Sequence, residues 1–262
     1  MSAKYYQSLK NIAKSVRCRL RREAIAARLP YRDISSHSAV VVAPHPDDET
    51  FGAGGMIAMK KKAGVPVHVI FLTGGEASHA SCCSIATNEI KRIRRSQAIE
   101  ATARLGLNYD ELVWLNLKDG KIPCEGQDGF NDAVINLANR IERMAPFEIY
   151  SPHPHDGLQD HEAACKIVQF AAKKSSVSFR IIYYTVWAWF NMPSIEFKLW
   201  GWKNGWLLDI RPIFKRKASA IQNYLNDTYA PCGAPYCGRL PESLISCVKK
   251  PNEVFFDGKI NE

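Results

Sequence analysis

Apolar residues recur along this chain in two alternating rhythms. AVVVAP (39–44) is a β-branched run with no polar break, which predicts a short strand buried on both faces. GAGGMIAMKKKAG (52–64) predicts a helix closed by Gly64, and VPVHVIFLTGG (65–75) a second strand. NEIKRIRRSQAIEATARLG (88–106) repeats its apolar positions at helical spacing and stops at Gly106. ELVWLNL (111–117), FEIYSPH (147–153) and FRIIYYTVWAW (179–189) read as three further strands, separated by helices at FNDAVINLANRIERM (130–144) and DHEAACKIVQFAAKK (160–174). After Trp189 the pattern weakens: IFKRKASAIQNYLNDTY (213–229) reads as helix, and the C-terminal tail as irregular. Strands alternating with helices predict βαβ units, an α/β fold with a mostly parallel sheet flanked by helices. In such sheets ligands bind beyond the carboxyl ends of the strands.

The first residues follow a different pattern. Leu9, Ile12, Val16 and Leu20 recur at helical spacing within a strongly basic segment. Residues 1–32 hold nine Lys and Arg against Glu23 alone, a net +8, whereas the whole chain carries +9. The excess positive charge therefore belongs to an arm over residues 1–36, ahead of a nearly neutral body over 37–262. A basic helix with one apolar stripe can make peripheral contact with an anionic membrane. Alternatively, the arm packs its stripe on the body and solvates its charges, which the shortness of the stripe favours. Nucleic acid is disfavoured, because no interleaving of aromatic and basic residues follows.

No apolar run is long enough to span a bilayer, and the first 30 residues lack the apolar core of a signal peptide. A cytoplasmic location is expected, at most peripheral to a membrane. The eight cysteines are scattered without a CxxC pair. Free thiols are the expectation, with Cys232 and Cys237 close enough in sequence for a small disulfide or half of a metal knuckle.

Candidate chemistry concentrates after two strands. APHPDDETFGAGG (43–55) puts His45, Asp47, Asp48 and Glu49 into five residues past a buried strand. Burying that much charge requires a cation or dense hydrogen bonding, and imidazole with carboxylate suits Zn2+. Pro44 and Pro46 stiffen the turn, and the glycines that follow would let backbone approach a ligand closely. The competing reading is a solvated turn feeding a helix N-terminus. SPHPHDGLQDHEAA (151–164) adds His153, His155 and His161, from which a third ligand would complete an open zinc site. Asp160 and Glu162 read as helix-start residues, Asp156 as a carboxylate that orients a ligand histidine. His68 reads as packed and His37 as a surface residue.

These motifs resemble those of the LmbE-like or PIG-L family of zinc-dependent de-N-acetylases, over most of residues 39–256. PHPDDE (44–49) with TFGAGG (50–55) is similar to the family's first motif, and HDGLQDHEAA (155–164) to its second. LTGGEASH (72–79), Arg94 with Gln97, Asp119-Gly120, Trp187, Lys217 and EVFF (253–256) are weaker echoes. The resemblance implies a Rossmann-like sheet and a Zn2+ cofactor held by His45, Asp48 and His161. It implies that Asp47 is the general base on a metal-activated water, with Asp119 a secondary polar residue beside it. The implied substrate is an N-acetylated sugar of the N-acetylglucosamine type, from which acetyl is removed. Arg94, His153 and Trp187 are the candidate substrate-binding residues, Trp187 as one of a dense run of aromatics that could stack on sugar rings.

Two departures stand out. Many family members carry a histidine three positions before the last ligand, where this chain has Leu158, and an aspartate where it has Gly74. His155 or His153 would then supply the missing donor to the tetrahedral oxyanion, a group worth on the order of a hundredfold in rate. Two alternatives remain open: a zinc amidase or esterase with a non-sugar substrate, and an inactive homologue that docks through its basic arm.

Overall fold

The computed structural model describes residues 3–79, 85–192, 202–226 and 240–258. Helix α1 (Ala3–Ala26) leads into strand β1 (Ala39–Ala43), helix α2 (Asp48–Lys62), β2 (Val67–Thr73), α3 (Thr87–Leu105) and β3 (Leu112–Leu117). Then come α4 (Phe130–Met144), β4 (Glu148–Pro152), α5 (Gln159–Lys174), β5 (Arg180–Tyr184) and the single turn α6 (Ala188–Asn191). Strand β6 (Gly205–Asp209), α7 (Phe214–Leu225), α8 (Glu242–Val248) and β7 (Asn252–Asp257) complete the described chain.

One seven-stranded sheet runs in the order β3-β2-β1-β4-β5-β7-β6. The first five are mutually parallel, and β7 lies antiparallel to both β5 and β6. The expected alternation is present. Strands β6 and β7 are additions, since residues 205–209 carried no strand expectation and 252–257 lie in a tail that reads as irregular. The fifth predicted strand also ends early: Trp187 and Trp189 leave the sheet into α6.

Strand β1 shows why both faces must be apolar. Val40 and Val42 join the core with α4, α5 and Ile25 of α1, whereas Ala39, Val41 and Ala43 join the core with α2, α3 and α7. A period of two on a strand covered by helices on each side leaves no position for a polar side chain. α4 buries Phe130, Ala133, Val134, Leu137, Ala138 and Ile141, the three-and-four spacing that its sequence predicts. α3 ends as expected, with Gly106 left-handed at φ 99°.

Helix α2 is buried along almost its whole length, and its glycines serve packing. A Cβ on Gly52 would stand 2.1 Å from the Tyr184 ring, and one on Gly55 2.5 Å from Ile210. The close approach that the sequence assigned to a ligand is thus made to the protein's own core. Beside it, Lys217 Nζ donates to Glu253 Oε1 at 2.5 Å and to the Phe51 carbonyl at 3.1 Å. Glu253 accepts from the backbone N–H groups of Gly55 (2.6 Å) and Met56 (2.8 Å). This ion pair is buried on both sides and stands only because its remaining hydrogen-bonding capacity is used, since an isolated charge there would cost several kcal/mol. It pins α2, whose N-terminus carries Asp48 and Glu49, against α7 and β7.

The order reverses between β1 and β4, whose following loops hold the two sequence constellations. That is the switch point at which an open α/β sheet presents a crevice.

Candidate active site

The turn from β1 into α2 carries the first half of the site. Asp47 sits at φ 121° and ψ −31°, a region that residues with a Cβ rarely occupy. Such strain costs on the order of 1–3 kcal/mol and persists where surroundings enforce it. Glu49 Oε2 accepts the Asp47 N–H at 2.9 Å. Arg94 reaches from α3, donating to Asp47 Oδ2 at 2.9 Å and to the Pro46 carbonyl. Gln97 Oε1 accepts from the same guanidinium at 2.8 Å. Glu49 is itself fixed by donors from Thr50 (2.5 Å) and Tyr224 (2.8 Å), while burial pushes its carboxyl up to about 7. Asp47 is left 8% exposed, its charge held by Arg94 at the edge of the site.

The ligand candidates converge beside it. Asp48 Oδ2 lies 3.1 Å from His45 Nδ1 and 3.3 Å from His161 Nε2. One ligand atom from each of the three residues falls within 4.8 Å of the others. His161 Nδ1 is engaged by Asp156 at 2.7 Å, yet its Nε2 is buried with no hydrogen-bond partner. A buried nitrogen that stands 3.3 Å from a carboxylate without making a hydrogen bond is what a metal ligand looks like when its tautomer is set from the other side. The 3.1–3.3 Å separations lie at or just below the roughly 3.3–3.6 Å edge of a tetrahedron with metal bonds of about 2.0–2.2 Å. The residues therefore fit a divalent ion. Burial disfavours charge on His161, but Asp48 and Asp156 outweigh it and push the imidazole up to about 9. Burial likewise opposes ionisation of Asp48, and the two histidines hold it below the ordinary range. This pattern is that of a site built for added positive charge.

Asp156 is fully buried and accepts from the backbone N–H groups of Val186 (3.0 Å), Trp187 (3.1 Å) and Ala188 (2.9 Å) as well as from His161. It thereby ties His161 to the turn after β5. On the opposite side His45 Nε2 meets Asp119 Oδ1 at 3.2 Å and Asp160 Oδ2 at 3.1 Å. Asp160 also accepts from Gly120 N (2.8 Å) and Ile122 N (3.1 Å). So Asp160 is more than a helix-start residue: it joins α5, the loop after β3 and His45. Nothing in its sequence position marks that reach.

The three substrate-binding candidates differ in burial and partners. Arg94 is 2% exposed and spends its guanidinium on Asp47 and Pro46. Its guanidinium holds Asp47 in place. His153 is 1% exposed, packs edge-on against Tyr183 and Phe256, and takes the His155 N–H on Nδ1 at 3.0 Å. Burial drives its pKa well down, so it is a neutral ring of the aromatic layer. Trp187 stands half-buried at the start of α6, its ring edge-on to Phe190 at 6.0 Å. His155 is exposed on the loop after β4, and Leu158 caps α5 with no donor of its own. Trp189 is buried and stacks on Trp202. Trp200 and the Cys232–Cys237 pair lie outside the described residues.

The sequence profile of the GlcNAc-PI de-N-acetylase family, PIG-L, matches residues 40–172, which span both motifs and half of the chain. The chain belongs to the PIG-L family. Relatives sharpen the comparison. A probable N-acetyl-alpha-D-glucosaminyl L-malate deacetylase 2 from Bacillus subtilis is 27% identical over 128 residues, covering 48% of this chain and 56% of the relative. This PIG-L chain thus spans little more than half the length of that protein. Among solved structures, N,N'-diacetylchitobiose deacetylase from Pyrococcus horikoshii shares 20% identity with a TM-score of 0.58, covering 78% of this chain and 75% of that one. The 4-carboxy-2-hydroxymuconate hydratase GalB from Pseudomonas putida shares 23% with a TM-score of 0.56, covering 71% and 78%. The same scaffold accompanies a deacetylase and a hydratase, so the fold alone does not choose the reaction.

Proposed function

We propose that this PIG-L protein is a zinc-dependent hydrolase that removes acetyl from an N-acetylated sugar of the N-acetylglucosamine type. The observation that carries the reading is the carboxylate of Asp47, held on a strained backbone beside His45, Asp48 and His161. A base fixed by Arg94 and Glu49 next to a cation site is the machinery that hydrolysis of an unactivated amide requires. The names of the Bacillus subtilis and Pyrococcus horikoshii proteins support the substrate class.

His45, Asp48 and His161 would hold the ion, and Asp119 and Asp160 orient His45 from behind. A bound zinc ion supplies positive charge that polarises the acetamide carbonyl and acidifies water. Asp47 takes a proton from the attacking water as its oxygen adds to the carbonyl carbon. It returns that proton to nitrogen as the C–N bond breaks, which releases acetate and the free amine. Arg94 aims the Asp47 carboxylate through its bond to Oδ2. His155, the exposed imidazole of the loop after β4, is assigned the donor role that Leu158 cannot fill.

The test is acetate release from a panel of N-acetylglucosamine conjugates by zinc-reconstituted protein and by Asp47→Asn. General-base loss is expected to cost roughly 100- to 10,000-fold in kcat with zinc content unchanged. A protein that binds zinc stoichiometrically and deacetylates no conjugate would overturn the reading.

A further inference from the structure

Helix α1 faces the body with the wrong side for an ordinary amphipathic helix. Among its described side chains, over residues 12–26, Cys18, Arg21, Arg22 and Ile25 are buried, whereas Ile12, Val16 and Leu20 are 56%, 51% and 64% exposed. At about 100° per residue the exposed three form one stripe roughly opposite the buried four. The expectation that the stripe packs on the body is therefore reversed. The reason is polar anchoring. Arg21 Nη1 donates to the Met192 carbonyl at 2.6 Å, and Arg22 Nη2 to the Asn252 carbonyl and side chain at 2.9 and 2.5 Å. Cys18 Sγ lies 3.2 Å from Cys247 Sγ in α8, and Lys14 Nζ stands 3.6 Å over the Phe190 ring. These contacts fix the rotation of α1 and leave its apolar stripe turned away from the protein.

The stripe has a charged border. Arg17 and Arg19 are exposed on α1 and Arg28 just past its end; Arg19 donates to Ser246 Oγ at 3.2 Å and Arg28 to the Ala24 carbonyl at 2.6 Å, and no acidic partner of the three occurs among the described residues. Glu23, the lone acid of residues 1–32, is taken up by Lys250 at 2.8 Å. Exposed Ala13, Ala24 and Ala27 extend the smooth face without adding polarity. A helix anchored on the body with an outward apolar stripe, nearby arginines that have no acidic partner among the described residues, and a neutralised acid has the chemistry of an interfacial helix.

We propose that α1 docks the protein onto an anionic lipid bilayer, with Ile12, Val16 and Leu20 entering the headgroup–acyl boundary and Arg17, Arg19 and Arg28 meeting lipid phosphates. Charge complementarity selects this occupant, because a second copy would bring an equally basic face against the first. The inference does not depend on the catalytic reading, since none of these residues touches the site.

The test is flotation of the full chain with vesicles of pure phosphatidylcholine and of equimolar phosphatidylcholine and phosphatidylglycerol. Binding to the anionic vesicles alone is expected, with release at high salt as the roughly 10 Å screening length shortens. Ile12→Gln/Leu20→Gln should weaken binding at least tenfold, and Arg17→Gln/Arg28→Gln by a similar factor, with thermal melting unchanged in both. Absence of binding by the folded wild-type chain overturns the proposal. So does equal binding to both vesicle types, or wild-type binding by the folded Ile12→Gln/Leu20→Gln variant. A dimer in lipid-free solution that the same variant dissolves would assign the stripe to a second copy instead.

Discussion

Asp156→Asn separates what the fold needs from what the metal needs. In the native site Asp156 Oδ1 accepts from the backbone of Val186, Trp187 and Ala188, and Oδ2 accepts from His161 Nδ1 at 2.7 Å and shares the Trp187 N–H at 3.1 Å. Asparagine is nearly isosteric. Its carbonyl oxygen keeps the three backbone bonds, but as neutral ones, each weaker by about 1 kcal/mol, for a stability loss of about 3 kcal/mol. Its amide then points an N–H at His161 Nδ1. The ring must accept there and carry its proton on Nε2, the nitrogen that faces Asp48. That tautomer cannot ligate. Loss of such an orienting carboxylate typically costs 10- to 100-fold in metal affinity, about 1.4–2.7 kcal/mol. Zinc titration by calorimetry against a competing chelator reads the second effect, and urea unfolding without metal reads the first. Glu148→Gln is the control, because Glu148 is buried against Lys60 at 3.1 Å and away from the site. It should lose stability and keep zinc affinity. An Asp156→Asn protein that is destabilised but binds zinc like the wild type would refute the argument that His161 ligates through Nε2.

Two further predictions test the frame around the site. Gly52→Ala should destabilise by about 2–3 kcal/mol, since its Cβ would meet the Tyr184 ring at 2.1 Å while Tyr184 is held by its hydroxyl donating to the Val42 carbonyl at 2.8 Å. Gly54→Ala, whose nearest neighbours are 3.5 Å away, should instead be neutral or stabilising by about 0.5–1 kcal/mol; chemical denaturation of both compares them directly, and equal effects would show that α2 is not packed as described. Arg94→Gln should lower kcat by at least tenfold with KM and zinc content little changed, as befits a group that aims Asp47; a selective rise in KM would return Arg94 to the substrate-binding role that its sequence context suggested.

The grouping of the candidate residues was legible because both halves of the site are local. His45, Asp47 and Asp48 lie in one turn, and His161 lies one loop from a strand end, so proximity in sequence already approximates proximity in space. Asp156 could be read as an orienting carboxylate for the same reason. Arg94 and Asp160 could not be placed, because their partners are 47 and 115 residues away and a buried arginine is spelled like an exposed one. The sheet core was legible too: βαβ periodicity names which positions are apolar, and β1 to β5 follow from it. β6 and β7 were not, since the pairing of β7 with β5 and of β6 with β7 is a long-range event that short mixed runs do not announce.

By itself, then, the sequence determined the alternating elements, the reactive turn and the excess of positive charge in the first 32 residues. The tertiary structure alone decided which side of each element meets which neighbour. α1 is the clearest case. Its sequence contains an apolar stripe, and periodicity says that the stripe shares one face. Whether that face looks inward depends on the carbonyls of Met192 and Asn252, which hold Arg21 and Arg22 and so turn Ile12, Val16 and Leu20 outward. A local pattern encodes a face; only the fold supplies what covers it.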